Sequence, residues 1–206
     1  MHKNIFLAFS MTVGAIVMAF GSGAASAASY GDTSPIYVGA AVGRLQYKTF
    51  CGPEGRCTVH DNGSGKVYAG FNFAPTSLWA GSELTNSIEA VGYFSGKVPV
   101  QVGLANEFMD ESYRGGGVVY KASLRQSDTL SVHGRLGMAR ITSKYRFRNL
   151  DIADSHKTGV TGGFGLSYTV TKNVALTADY DMFKARFGQV EDKNVHLFTV
   201  GAAYKF

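Results

Sequence analysis

Asp154-Ser155-His156 sets a carboxylate, a hydroxyl and an imidazole side by side, the three group types that cooperate in nucleophilic hydrolysis. Adjacent residues seldom reach triad geometry, however, and Asp-Ser is ordinary turn chemistry, so the tripeptide is weak support for catalysis. Cys51 and Cys57, in CGPEGRC, form the other reactive pair. A structural zinc needs about four ligands at recurring spacing, and one Cys pair with no matching His does not supply them. The Gly/Pro step between the cysteines can fold back, so an oxidising compartment would let them join as a loop disulfide; two unpaired thiols is the competing reading. No metal or other cofactor is expected. Elsewhere a few charges of both signs read as lying on the polar faces of patterned segments: Glu89, Lys121, Arg125, His133, Arg135, Asp179 and Asp181. What they do depends on which face of which element carries them.

The chain has 206 residues, enough for one good-sized domain. His2 and Lys3 precede an apolar run over residues 5–20 that ends in Ala25-Ser26-Ala27, so residues 1–27 read as a cleaved secretory signal peptide and residues 28–206 as the mature domain. No later segment has the roughly 18 apolar residues of a spanning helix, which leaves a soluble extracytoplasmic protein or one that inserts as strands. The net charge of +5 is too weak a bias to argue for nucleic acid, and export makes that partner improbable.

Glycine is abundant at 26 residues and proline scarce at 4, which favours closely approaching strands over disorder. Period-two alternation predicts strands over residues 36–44, 66–74, 88–96, 118–125, 130–138, 159–170, 174–183 and 195–206. Each approaches the roughly 9–11 residues that a tilted strand needs to cross a bilayer, and their number is even. Long connections over 48–64, 97–116, 144–158 and 184–194 alternate with tight ones over 126–129 and 171–173, placing loops at one end and turns at the other. The connection over 75–87 (PTSLWAGSELTNS) is the misfit, with a strand extension around Trp79 or a short helix as the alternatives.

Alternation alone does not say which face meets water, because a lipid-embedded barrel inverts a soluble one. Side-chain size does: the polar faces are crowded with Gly, Ser, Thr and Ala, whereas a solvated exterior is dense in Lys and Glu. The expectation is therefore an all-β, eight-stranded antiparallel up-and-down transmembrane barrel with a filled polar lumen. Glu89, Asp179 and Asp181 would pair there with Lys121, Arg125 and Arg135, beside His133, since buried charges persist only when paired. Tyr120, Phe164, Tyr168, Tyr180, Phe198, Tyr204 and Phe206 fall on the apolar faces, as interfacial girdles require, although the core of a soluble lipocalin-like barrel would also use them.

The tail FTVGAAYKF alternates and stops on an aromatic. With GAAVGRL, SIEAVGYFSG and GGFGLSYTVTKNVALTADYDMF, the chain over about residues 34–206 resembles the small eight-stranded bacterial outer-membrane barrels, the group of the OmpA membrane domain, OmpX and the neisserial surface proteins. The long second connection and the two-cysteine first loop depart from that pattern. The resemblance implies residence in the bacterial outer membrane, and that Gly201, Tyr204 and Phe206 form the signal read by the barrel-assembly machinery. It also implies contact with outer-membrane lipids and lipopolysaccharide. Arg140, Lys144, Arg146, Arg148, Lys184 and Arg186 gather near one end of strands five to seven, at the height of lipid phosphates. Ordinary loop solubility accounts for them equally well. The expected function is a structural or surface-interaction role, with loops contacting lipopolysaccharide, host molecules or other cells. A narrow pore and an outer-leaflet lipid-modifying enzyme are the alternatives. No enzymatic activity is expected: none of the five histidines stands in the His-x-Ser spacing of a lipid A deacylase.

Overall fold

The computed structural model describes residues 35–50, 56–78, 82–102, 107–147, 150–187 and 191–206. Residues 1–27, expected to be a signal peptide, lie outside them, as do Cys51, Arg148 and the side chains of Cys57 and Arg186. Ten strands follow in order: β1 Ile36–Phe50, β2 Arg56–Asn72, β3 Thr76–Ser77, β4 Glu83–Phe94, β5 Val98–Val102, β6 Glu107–Arg125, β7 Leu130–Phe147, β8 Leu150–Thr169, β9 Val174–Phe187 and β10 Glu191–Lys205. Eight of them pair in an unbroken antiparallel circuit, β1-β2-β4-β6-β7-β8-β9-β10, and β10 returns to β1. The circuit removes both free edges, each of which would otherwise present unpaired N–H and C=O groups.

Closure is made by small residues. Gly39 faces Ala203, Ala40 faces Ala202 and Ala41 faces Gly201. Nearby, the Tyr68 ring lies over Gly39 and the Tyr37 ring over Gly70, each filling space that a Cβ would occupy. The two rings meet edge to face at 6.4 Å.

At the turn end, Gln126 and Ser127 N–H groups bond the Leu130 carbonyl, and Val170 and Thr171 bond that of Val174. The second turn is also stitched to β10: Asn173 Nδ2 donates to the Lys205 carbonyl at 2.7 Å, while Lys205 N–H donates to the Asn173 carbonyl at 2.8 Å. Of the misfit connection, Trp79 lies outside the described residues, while the stretch from Glu83 onward is strand, the start of β4, and no helix occurs among its described residues. The connection is a small hairpin, with Thr76 opposite Leu84 and Ser77 opposite Glu83.

The opposite end differs from the expectation of long loops. Much of 48–64, 144–158 and 184–194 is strand, so that β7 has 18 residues and β8 has 20. Spanning takes only about 9–11 residues, so the surplus carries the barrel past the hydrocarbon by about 25 Å of strand. β5, paired only with the first part of β6, extends that rim. Period two went unseen here because the apolar-outward contrast fades once both faces leave lipid.

The large apolar side chains of the middle segments point outward: Leu136 is 64% exposed, Phe164 64%, Val200 63%, Met138 60% and Val160 60%. In a lipid-facing belt this is burial rather than exposure. Past the belt the polarity of the faces exchanges without any change of parity. Leu45, Tyr47, Tyr113, Ile141, Phe183, Val195 and Leu197 fill the lumen there, while Arg44, Lys48, Arg114, Arg140 and Lys184 point out. The lumen is thus mainly polar in its lower part; the loop-end part is packed largely with apolar and aromatic side chains, as in the core of a soluble barrel, because water replaces lipid outside.

Candidate functional site

The lumen below that apolar layer is held by a charge network contributed by six strands. Alternation turns Lys66 of β2, Glu89 of β4, Lys121 of β6, His133 and Arg135 of β7, and Asp179 and Asp181 of β9 inward, and Tyr37 of β1 joins them. Lys66 Nζ lies 2.6 Å from Asp181 Oδ2 and 3.1 Å from Asp179 Oδ2. Arg135 Nη2 lies 2.9 Å from Asp179 Oδ1 and 3.2 Å from Asp181 Oδ1, and its Nη1 is 3.8 Å from Glu89 Oε2. Glu89 Oε1 accepts from Tyr37 Oη at 2.6 Å and from Lys121 Nζ at 3.1 Å. Lys121 sits over the Tyr37 ring at 4.9 Å. Three cations therefore oppose three carboxylates, so the charges of Lys66, Lys121 and Arg135 balance those of Glu89, Asp179 and Asp181. Balance is what allows such groups to stay buried, since a lone ion there would cost several kcal/mol or more.

Lys66 is fully buried, yet it is absent from the set expected from the sequence. The signal was available: one further step of period two from Tyr68 and Gly70 carries Lys66 inward. Arg125 departs the other way. It stands directly opposite Glu83 in the ladder, bonds it at 2.8 Å, and is 46% exposed at the turn-end rim. Its position at the end of β6 puts it below the network, where water can solvate it.

A second polar group sits within the upper apolar layer, where Tyr47 Oη and Tyr113 Oη donate to Glu111 at 2.9 and 2.6 Å. Lys193 Nζ lies 3.7 Å from the same carboxylate. Among the described residues no group of His, Cys, Asp and Glu is arranged to hold a metal.

Asp154, Ser155 and His156 lie consecutively on β8, so Ser155 faces opposite to the other two. Asp154 pairs with Lys144 at 3.7 Å and His156 with Thr142 at 3.0 Å, and the three do not converge. A different Ser, His and Asp do meet inside. His133 Nε2 is 2.7 Å from Asp179 Oδ1, and Ser167 Oγ is 3.4 Å from His133 Nδ1. The second separation exceeds the roughly 2.6–3.2 Å of a nucleophile and its base. Asp179 is in addition committed to Lys66 and Arg135.

On the outer surface, Arg140, Lys144 and Arg146 share the outward face of β7, and Lys184 that of β9. Arg44 and Arg114, which sequence reasoning passed over, stand on β1 and β6. On four strands the first cation follows directly on the apolar belt: Val42 then Arg44, Met138 then Arg140, Met182 then Lys184, and Val118 then Arg114 across Gly116. At the closing seam Tyr204 and Phe206 are both outward, with rings 5.2 Å apart, and Phe206 N–H donates to the Ile36 carbonyl.

The family model described as outer membrane protein beta-barrel domain matches residues 15–206. Among solved structures the chain is similar to Neisserial surface protein A, at 16% identity over 84% of this chain and 99% of that one, with a TM-score of 0.58. It is similar to the outer membrane protein OprG from Pseudomonas aeruginosa, at 13% identity over 85% and 98% of the two chains, with a TM-score of 0.50. The attachment invasion locus protein Ail of Yersinia pestis aligns at 16% identity over 82% and 98%, with a TM-score of 0.48. At these identities the likeness is one of fold. No curated protein matches the chain by sequence.

Proposed function

As the chain belongs to the outer membrane protein beta-barrel domain family, we propose that it serves the bacterial outer membrane as a rigid surface platform. In this reading a basic collar pairs with phosphates of lipopolysaccharide, and the extended loop end meets host molecules or other cells. The observation that carries it is the placement of Arg44, Arg114, Arg140 and Lys184. All four are exposed on the outward face at the edge of the apolar belt, and none has a hydrogen-bond or ion-pair partner among the described residues. Cations at that height are matched by phosphate, and Arg can bind it through two N–H groups at once. Gly201, Tyr204 and Phe206 act in the same reading as the signal for the barrel-assembly machinery.

Two measurements test it. The protein in the membrane fraction should migrate differently on a gel with and without boiling, as small closed barrels do; equal mobility, or recovery in the periplasmic fraction, ends the reading. The combined replacement of Arg114, Arg140 and Lys184 by Gln should keep that shift and co-purify with less lipopolysaccharide.

A hydrolytic reading has one observation in its favour, the Ser167–His133–Asp179 alignment in the lumen. Turnover of a short-chain ester that disappears in Ser167→Ala would support it; equal turnover by the two proteins retires it.

A further inference from the structure

We infer that the outer wall of β1, β10, β9 and β8 holds a specific groove for one acyl chain of an outer-leaflet lipid, with the phosphate of that lipid on Arg44. This rests on the phosphate reading of the collar and narrows it to one place.

The ladder builds the groove. Arg44 is opposite Phe198, Phe198 is opposite Tyr180, and Tyr180 is opposite Phe164, a row that crosses four strands. The rings are in contact, with Phe198 4.8 Å and Phe164 5.1 Å from Tyr180. One step toward the turn end runs the parallel row Val42, Val200, Ala178. Ala178 is the small member, so the space beside the rings is unfilled, and the result is an outer-surface groove of about 700 Å³. Three inter-strand steps of about 4.8 Å make it roughly 14 Å long, the reach of a dozen or so methylenes.

Its two ends differ chemically. Strand tilt in a closed barrel slopes a ladder row across the membrane, so the Arg44 end lies at the collar and the Phe164 end within the belt. Arg44 has no ion-pair or hydrogen-bond partner among the described residues. Beside it on the same face His196 bonds Tyr180 Oη through Nδ1 at 2.6 Å, which fixes the ring at the mouth. An uncompensated guanidinium at the top of an apolar furrow fits a lipid whose headgroup carries phosphate and whose chain then descends past the aromatic row. A neutral lipid or a detergent chain would leave Arg44 unmatched.

The test uses the full-length barrel in mild detergent and native mass spectrometry. The probes are bis-phosphorylated lipid A, the same lipid without phosphates, and the phosphorylated disaccharide without acyl chains. The wild type should retain the complete lipid stoichiometrically and hold either partial probe at least about tenfold more weakly, the scale of one charge-assisted contact. Arg44→Gln and Ala178→Phe should each lower retention about tenfold. Ile88→Phe, outward on β4 of the far wall, should leave it unchanged. All variants are first checked for the gel shift on boiling. Equal retention of the dephosphorylated lipid, or no loss in Ala178→Phe, overturns the groove. A loss in Arg140→Gln and Lys184→Gln as large as that in Arg44→Gln overturns it too, while leaving the diffuse collar intact. Loss in the Arg44 and Ala178 variants alone supports the groove.

Discussion

Lys66 Nζ lies 2.6 Å from Asp181 Oδ2 even though β2 and β9 are separated in the sheet by β1 and β10, so the bond spans the lumen. Arg135 does the same between β7 and β9, and Glu89 ties β4 to β1 through Tyr37. These contacts brace the cylinder from within, in addition to the hydrogen bonds around its wall.

Removing Lys66 alone leaves the carboxylates in excess inside a low-dielectric space. Lys66→Met should therefore destabilise the barrel by about 3–5 kcal/mol, read as a fall in the urea midpoint for unfolding from lipid vesicles. Lys66→Met combined with Asp181→Leu should cost clearly less than the sum of the single replacements, because the two groups share one interaction. Strict additivity would mean that they do not interact.

Gly165 lies under the network. A Cβ there would collide with Asp179 Oδ1 and crowd His133 Nε2. Gly165→Ala is expected to cost about 1–3 kcal/mol in the same unfolding assay, as overpacking does. Gly134, whose added Cβ would meet nothing, is the control and should change little.

The polarity exchange along β1, β6, β7, β9 and β10 gives a depth test. Leu136→Arg, in the belt, should lose about 2–4 kcal/mol, whereas Asn194→Arg, outward but past the belt, should lose no more than about 0.5 kcal/mol. Equal losses would show that the belt has been set at the wrong height.

Two layers close the lumen, one ionic and one apolar. Planar-bilayer recordings should show no steady conductance for the wild type, nor for Arg135→Ala, since Leu45, Tyr47, Ile141 and Leu197 still seal the loop end. A steady current in the wild type would contradict the packing of both layers.

Phe206 is half exposed and contributes little packing beyond Tyr204. Phe206→Ala should leave the unfolding midpoint of refolded protein within about 0.5 kcal/mol of wild type, yet lower the heat-shifted fraction in cells. Normal yield in cells would remove Phe206 from the assembly signal.

The sequence by itself determined which way each strand faces. Val118 against Val119, Leu136 against Arg135 and Val200 against Thr199 are sorted by period two, a local property that registers the solvent on either side of a pleated chain. It also determined the closure, because eight such strands leave no edge when the last meets the first. Closure and shear in three dimensions decided which inward charges meet. They brought Lys66 to Asp179 and Asp181 and lined up Ser167, His133 and Asp179. They left Arg125 at the rim with Glu83, and they set Arg44 at the head of an aromatic row drawn from three other strands. Those neighbours lie far apart along the chain, and no spacing within a single strand encodes a contact made across a cylinder or around its wall.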